Sequence, residues 1–314
     1  MDNIYILMIV ALAVLAIADL VVGVSNDAVN FLNSAIGSKA VSFKTIMVVA
    51  SLGVAFGALS SSGMMEVARK GIFMPSEFYF NEIMIIFMAV MITDILLLDF
   101  FNTLGMPTST TVSIVFELLG AAVVMSLIKI SASEAETISN LGQYINTAKA
   151  TEIILGILLS VVVAFSVGAF VQYSSRLLLT FNFEEKAKWV AALFGGIAAT
   201  AITYFILIKG LKGASFISGD FKSYIYENTF TIVFISFIFW TTLCALITGV
   251  FKMSVYKFII IIGTFAIAMA FAGNDLVNFI GVPIAAWQSY EAWVVSGVPA
   301  ADFSMEVMSK KVHS

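Results

Sequence analysis

The sequence is poor in charge. Asp, Glu, Lys and Arg together make up 11% of its 314 residues, while 61% are hydrophobic. A water-soluble domain usually carries about 25% charged residues, so this chain has too little polar surface to dissolve a globule, and lipid is the solvent that fits. Histidine and cysteine are almost missing: there is one of each, His313 and Cys244. A lone cysteine closes no internal disulfide, and a single histidine makes a His-based zinc or haem site untenable. The net charge of −4 comes without long charge runs, which gives no footing to a nucleic-acid partner. No basic residue precedes the first apolar stretch and no small-residue cleavage site follows it, so it reads as a retained span.

What the chain has is long apolar stretches. A spanning helix needs about 20 mostly apolar residues. Eight stretches qualify, approximately Ile4–Val24, Thr45–Met65, Ile83–Leu104, Thr108–Ile128, Ile153–Val171, Trp189–Lys209, Thr229–Phe251 and Lys257–Gly273. They are apolar on all faces and scattered with Gly, Ala and Ser, as in helices packed on helices in lipid. Strands of a membrane barrel would alternate instead. The fold class expected is all-α, a polytopic transmembrane bundle of about eight spans. Three parts are expected: residues 1–130 as a first repeat, 131–255 as intervening helices and loops, and 256–314 as the start of a second repeat.

The repeat shows in a motif. Residues 25–31 read S-N-D-A-V-N-F and residues 273–279 read G-N-D-L-V-N-F. Each copy follows an apolar run and a nearby glycine (Gly23, Gly273) and precedes a shorter apolar stretch, Phe31–Gly37 or Phe279–Ala286. This is the pattern of a discontinuous helix: half a helix, an unwound polar break, and a second half. Interrupted segments at matching positions of two repeats point to a transporter's binding site. The N-terminus of a half-helix attracts anions through free N–H groups and its dipole. The plainer reading is that Asn and Asp glue helices together; two near-identical copies argue against it, because ionisable residues inside a membrane are costly and usually functional. Between the copies, residues 105–113 read G-M-P-T-S-T-T-V-S. Proline suits a first helical position, and the hydroxyls after it are neutral donors that hold an oxyanion without trapping it. Ordinary Ser/Thr capping would look the same.

Taken together, V-S-N-D-A-V-N-F, G-M-P-T-S-T-T-V and A-G-N-D-L-V-N-F resemble the PiT family of inorganic phosphate transporters, whose signatures look like G-A-N-D-V-A-N-A and G-L-P-V-S-T-T-H. The resemblance covers most of Ile4–Ile128 and Lys257–Trp287. It implies phosphate symport coupled to Na⁺ or H⁺, by alternating access of inverted repeats around a central site. No resident cofactor is implied. Carried over by position, Asn26, Asn30, Ser109, Thr110, Thr111, Asn274 and Asn278 are expected to bind phosphate. Asp27 and Asp275 are expected to serve coupling, either binding Na⁺ beside the phosphate or accepting a hydrogen bond from a protonated phosphate oxygen: an ionised Asp only accepts hydrogen bonds and repels a bare anion. Val112 departs from the pattern, standing where the family often has His.

Asp19, Asp94 and Glu117 are unexpected acids in apolar stretches and form a second rank, with Asp99 and Asn102. Asp19 precedes Asp27 by eight residues, which puts both on one helical face; it either lines the pathway or pairs within the bundle. A second P-x-S-T-T at the first repeat's spacing would fall beyond Ser314, and from Trp287 on the chain reads as a polar, loop-like tail. The second repeat is therefore expected to be incomplete, either as a piece of a longer transporter or completed by another subunit of a homo-oligomer. Besides membrane lipid, the partners expected are inorganic phosphate and the coupling ion. The competing readings are another oxyanion such as sulfate, and a membrane protein that does not transport. An enzyme is disfavoured, since no His lies within a span and neither H-E-x-x-H nor G-x-S-x-G occurs.

Overall fold

The computed structural model describes residues 2–60, 71–133, 135–180, 188–210 and 218–309. Its main helices are α1 (Asp2–Ser38), α2 (Phe43–Ser60), α3 (Phe80–Thr103), α4 (Thr110–Ala132), the single turn α5 (Leu141–Tyr144), α6 (Thr147–Leu179), α7 (Lys188–Phe205), α8 (Gly219–Glu227), α9 (Thr229–Gly249) and α10 (Val255–Ser296). Among the described residues β pairing is limited to two isolated bridges, Phe73 with Ile145 and Tyr79 with Ser304.

Among the described residues seven helices are long and apolar enough to cross a membrane, and they match seven of the eight expected stretches. The eighth, Thr45–Met65, becomes the shorter α2; residues 61–70 lie outside the described residues. The surface confirms the choice of solvent. Along α6, Leu155, Leu159, Val161 and Phe165 are exposed, Phe165 by 78%, an apolar face that lipid covers and water does not. Hydroxyls in these helices are mostly neutralised locally: Ser126, Thr151, Thr200, Thr264 and Ser289 each donate to the carbonyl one turn back.

The N-D segments differ from expectation. α1 runs unbroken through Asn26-Asp27, and α10 runs unbroken through Asn274-Asp275. The half-helices Phe31–Gly37 and Phe279–Ala286 are simply parts of these long helices. A helix in lipid stays intact where neighbouring helices take up its polar side chains, and that is the case for Asn26 and Asp27 below. The glycine before the first copy has a packing role: a Cβ at Gly23 would run into the Phe279 ring.

The chain divides into two compact units, and neither follows sequence order. The first comprises Met1–Asp27, Gly63–Leu158 and Asp275–Ser314; the second comprises Ala28–Ser62 and Leu159–Asn274. The chain therefore passes from one unit to the other inside both N-D motifs.

In the first unit α3 and α4 form an antiparallel pair. Lys129, near the end of α4, meets Glu82 at the start of α3 at 2.8 Å. Leu12, Phe87, Leu118, Ala122 and Val282 are buried in the shared core. At the end away from the α3–α4 turn, Phe80 stacks on Trp293 at 4.6 Å, and Tyr5 meets Trp293 edge-on at 5.1 Å. The expected polar tail after Trp287 is not found. α10 continues to Ser296, and the segment beyond it is tied down: Phe80 N–H donates to Phe303 O, Met305 N–H donates to Phe78 O, and Met305 is fully buried. Trp293 and Met305 supply apolar surface that a count of polar residues overlooks. Outside the spans, burial together with a hydrogen bond to Glu136 pushes the Tyr144 phenol up to about 12, so it remains a donor at neutral pH.

The second unit is built on glycine contacts. A Cβ at Gly53 of α2 would lie 2.5 Å from the Phe265 carbonyl of α10, and one at Gly57 would overlap the Met269 carbonyl. This is the small-xxx-small packing of lipid-embedded helices. α7 meets α9 in the same way, through Gly195 at Cys244 and Gly196 at Thr241.

Candidate functional site

The site lies in the first unit, at the turn between α3 and α4. α3 ends near Leu104, and Gly105 takes the left-handed conformation (φ 67°) that lets the chain reverse. Pro107 follows, and Ser109 caps α4, its hydroxyl accepting from Val112 N–H at 3.3 Å.

Asn26 secures this turn from α1. Its Nδ2 donates to Asn102 Oδ1 at 2.8 Å and to the Met106 carbonyl at 3.2 Å, and its Oδ1 accepts from Thr108 N–H at 2.8 Å. Asn102 in turn donates to the Val22 carbonyl at 2.9 Å. Both ends of the Asn26 amide are thus spent on the end of α3 and the turn after it, not on α1. Asn26→Ala would strip partners from Thr108 and Asn102. It is expected to cost about 1–3 kcal/mol of stability, read as a lower melting temperature in detergent. Adding Asn102→Ala should then cost little more, because the two amides act as one unit; full additivity would contradict the linkage.

The first turn of α4 receives both motif copies. Thr110 Oγ1 donates to Asp27 Oδ2 at 3.5 Å, and Thr111 Oγ1 donates to Asp275 Oδ1 at 3.1 Å. Asn278 Nδ2 donates to Thr111 Oγ1 at 2.9 Å and lies 3.4 Å from Thr110 Oγ1. Asn26, Asp27, Thr110 and Asn278 are buried, while Thr111 and Asp275 are half-buried. Asn278 Oδ1 is buried with no donor facing it. Unlike the back-bonded hydroxyls named above, those of Thr110 and Thr111 reach carboxylates on other helices.

Six of the predicted residues thus converge. Ser109 is exposed and serves as the cap. Asn30 is exposed and belongs to the second unit. The side chain of Asn274 lies outside the described residues. Asp99 is exposed, whereas Asn102 is drawn in by Asn26. Asp19, Asp94 and Glu117 meet one turn along α4, where Ser113 Oγ stands 2.7 Å from both Asp94 Oδ1 and Glu117 Oε1. Ser113 was not anticipated; its signal was a hydroxyl one helical turn after Ser109.

Comparison with known proteins gives this arrangement a context. Residues 23–307 match the phosphate transporter family. The chain belongs to that family. It is an integral protein of the cell membrane. A protein of Pyrococcus furiosus that carries the name of a phosphate permease is 27% identical over 83% of this chain and 61% of its own length. A Thermococcus kodakarensis protein of like name is 26% identical over 83% of this chain and 62% of its own. The chain thus spans about three-fifths of the length of these curated relatives. A solved structure described as a sodium-dependent phosphate transporter shares the fold, with a TM-score of 0.70 at 17% identity over 96% of this chain and 72% of that one.

Proposed function

We propose that this chain carries inorganic phosphate across the membrane by symport with Na⁺ or H⁺, through alternating access, and that it is not an enzyme. The observation that carries the reading is the convergence of both N-D copies on the first turn of one helix. That turn supplies N–H groups without intrahelical acceptors and the positive end of a helix dipole, which suit an oxyanion. The two carboxylates beside it, with Asn278 Oδ1, are oxygen acceptors of the kind that suit a hard cation or a protonated phosphate oxygen. The match to the phosphate transporter family, the permease names of the archaeal relatives and the sodium-dependent description of the structural neighbour all support this reading.

A cation held at Asp27 and Asp275 offsets their charge, so the anion binds well only when the cation is present. Symport then follows from binding linkage, each ligand raising the affinity for the other by one factor. Sulfate, fully ionised at neutral pH, has no proton to give these carboxylates, whereas phosphate has one. Calorimetric titration of the detergent-purified chain with phosphate and with sulfate, in Na⁺ or in choline, tests the assignment. Phosphate heat that strengthens with Na⁺ or with lower pH, and exceeds that of sulfate, is expected. Equal binding of both anions, independent of cation and pH, would overturn it.

A further inference from the structure

A second polar cluster lies deeper in the first unit, away from the Thr110–Asp27 and Thr111–Asp275 pairs. Asp19 from α1 and Asp94 from α3 are fully buried, and Glu117 of α4 is half-buried. Neither oxygen of Asp19 faces a donor, nor does Asp94 Oδ2 or Glu117 Oε2. What faces Asp19 is the Asp94 carboxyl, and Asp94 in turn faces Glu117. Asp94 also acts on Asp27 of α1, which itself feels Asp275 from α10. Among the described residues the ion pairs of Lys129 and Lys149 are with Glu82 and Glu152, so neither cation serves the cluster.

Hydrogen counting decides what the cluster holds. Ser113 Oγ lies 2.7 Å from a carboxyl oxygen of Asp94 and 2.7 Å from one of Glu117. A serine hydroxyl has a single hydrogen and donates one bond; the second short contact is a hydrogen bond only when that carboxyl bears a proton and donates to Oγ. The approach of Asp19 to Asp94 has the same requirement, because two ionised carboxylates have no hydrogen to share. Three carboxylates in a buried site cannot all ionise. Among the described residues no group of three or more His, Cys, Asp or Glu side chains is arranged to hold a metal ion. Access exists on one side, where a groove of about 680 Å³ between α3 and α4 reaches Ser113 and Glu117.

We propose that Asp19, Asp94 and Glu117, bridged by Ser113, form a proton-binding site that makes the neighbouring anion site pH-dependent. The ligand is H⁺, which converts a carboxylate of the cluster to a carboxylic acid. Its release through Glu117 leaves a negative charge about two turns of α4 below Thr110 and Thr111, and repels phosphate. Phosphate binding therefore weakens as pH rises. The proton site stands on its own geometry; its effect on phosphate rests on the function proposed above.

Two measurements separate the claims. The first is infrared spectroscopy of the full chain in lipid, following the carbonyl stretch of protonated carboxylic acids through a pH titration. A band present at neutral pH, and reduced in each of Asp19→Asn, Asp94→Asn and Glu117→Gln, is expected. Absence of the band, or its persistence unchanged in all three near-isosteric variants, overturns the site. The second is labelled phosphate uptake on either side of neutrality. The acid-to-alkaline ratio of the wild type is expected to be several-fold larger than that of Glu117→Gln, a comparison in which the titration of phosphate itself cancels. An identical ratio overturns the linkage. A wild type with the infrared band but no uptake at any pH overturns the transport reading and leaves the proton site standing.

Discussion

Asp27→Asn is expected to reduce cation-coupled phosphate uptake by about a hundredfold or more, with the protein still inserted and folded; Asp275→Asn should do the same. The substitution keeps the shape of the side chain and an oxygen to accept from Thr110 or Thr111, so the bundle has little reason to collapse. What it removes is the negative charge. Taking one partner from a buried charge pair costs about 3–5 kcal/mol, and each 1.4 kcal/mol is about tenfold in binding. Without the carboxylate the cation is lost, and with it the linkage that brings phosphate in. Labelled uptake in proteoliposomes at matched protein density checks the loss. Uptake at wild-type level in either variant would show that the carboxylate is glue between helices, the role that buried Asn and Asp often have in membranes.

The second large effect concerns assembly. Gly57→Val is expected to abolish the folded second unit. A Cβ at this position overlaps the Met269 carbonyl and also approaches the Ala272 side chain and the Gly273 backbone. Backbone atoms cannot rotate away as a flexible side chain would, so the two helices must separate and lose their close packing. Overpacking typically costs about 1–3 kcal/mol, occasionally more, and this contact has no soft partner. Gly53→Val should add to the damage, since Phe265 O stands opposite. Gly120→Val, with open space around it, is the control and should be tolerated. The readout is the monodisperse fraction in size-exclusion chromatography after extraction. Normal yield of Gly57→Val would mean that α2 does not pack on α10 at this distance.

Much of this was legible in the sequence because it rests on local composition. Charge scarcity set the solvent, and runs of about 20 apolar residues set the spans. The repeated N-D copies announced themselves by identity, and the order of the three motifs led to the family that the match over residues 23–307 confirms. What was illegible was pairing across the chain. The break expected at Asn26 came from reading its motif apart from the rest of the chain; the partners of its side chain are Asn102 and Thr108, 76 and 82 residues away. With those bonds made by neighbours, α1 has no need to unwind. Nothing in P-T-S-T-T says that Thr110 takes Asp27 while Thr111 takes Asp275. Ser113 was passed over because a hydroxyl inside an apolar helix usually bonds back to its own carbonyls, and only the approach of Asp94 and Glu117 shows that this one does not.

Flux itself tests the central claim most directly. The chain is reconstituted into liposomes and labelled phosphate uptake is followed with Na⁺ against choline outside, at an acidic and an alkaline pH, with the Asp27→Asn/Asp275→Asn double variant as the blank. Uptake that requires the Na⁺ or proton gradient and vanishes in the double variant is the predicted result. No uptake above that blank, from protein shown to be folded in the bilayer, would contradict the account.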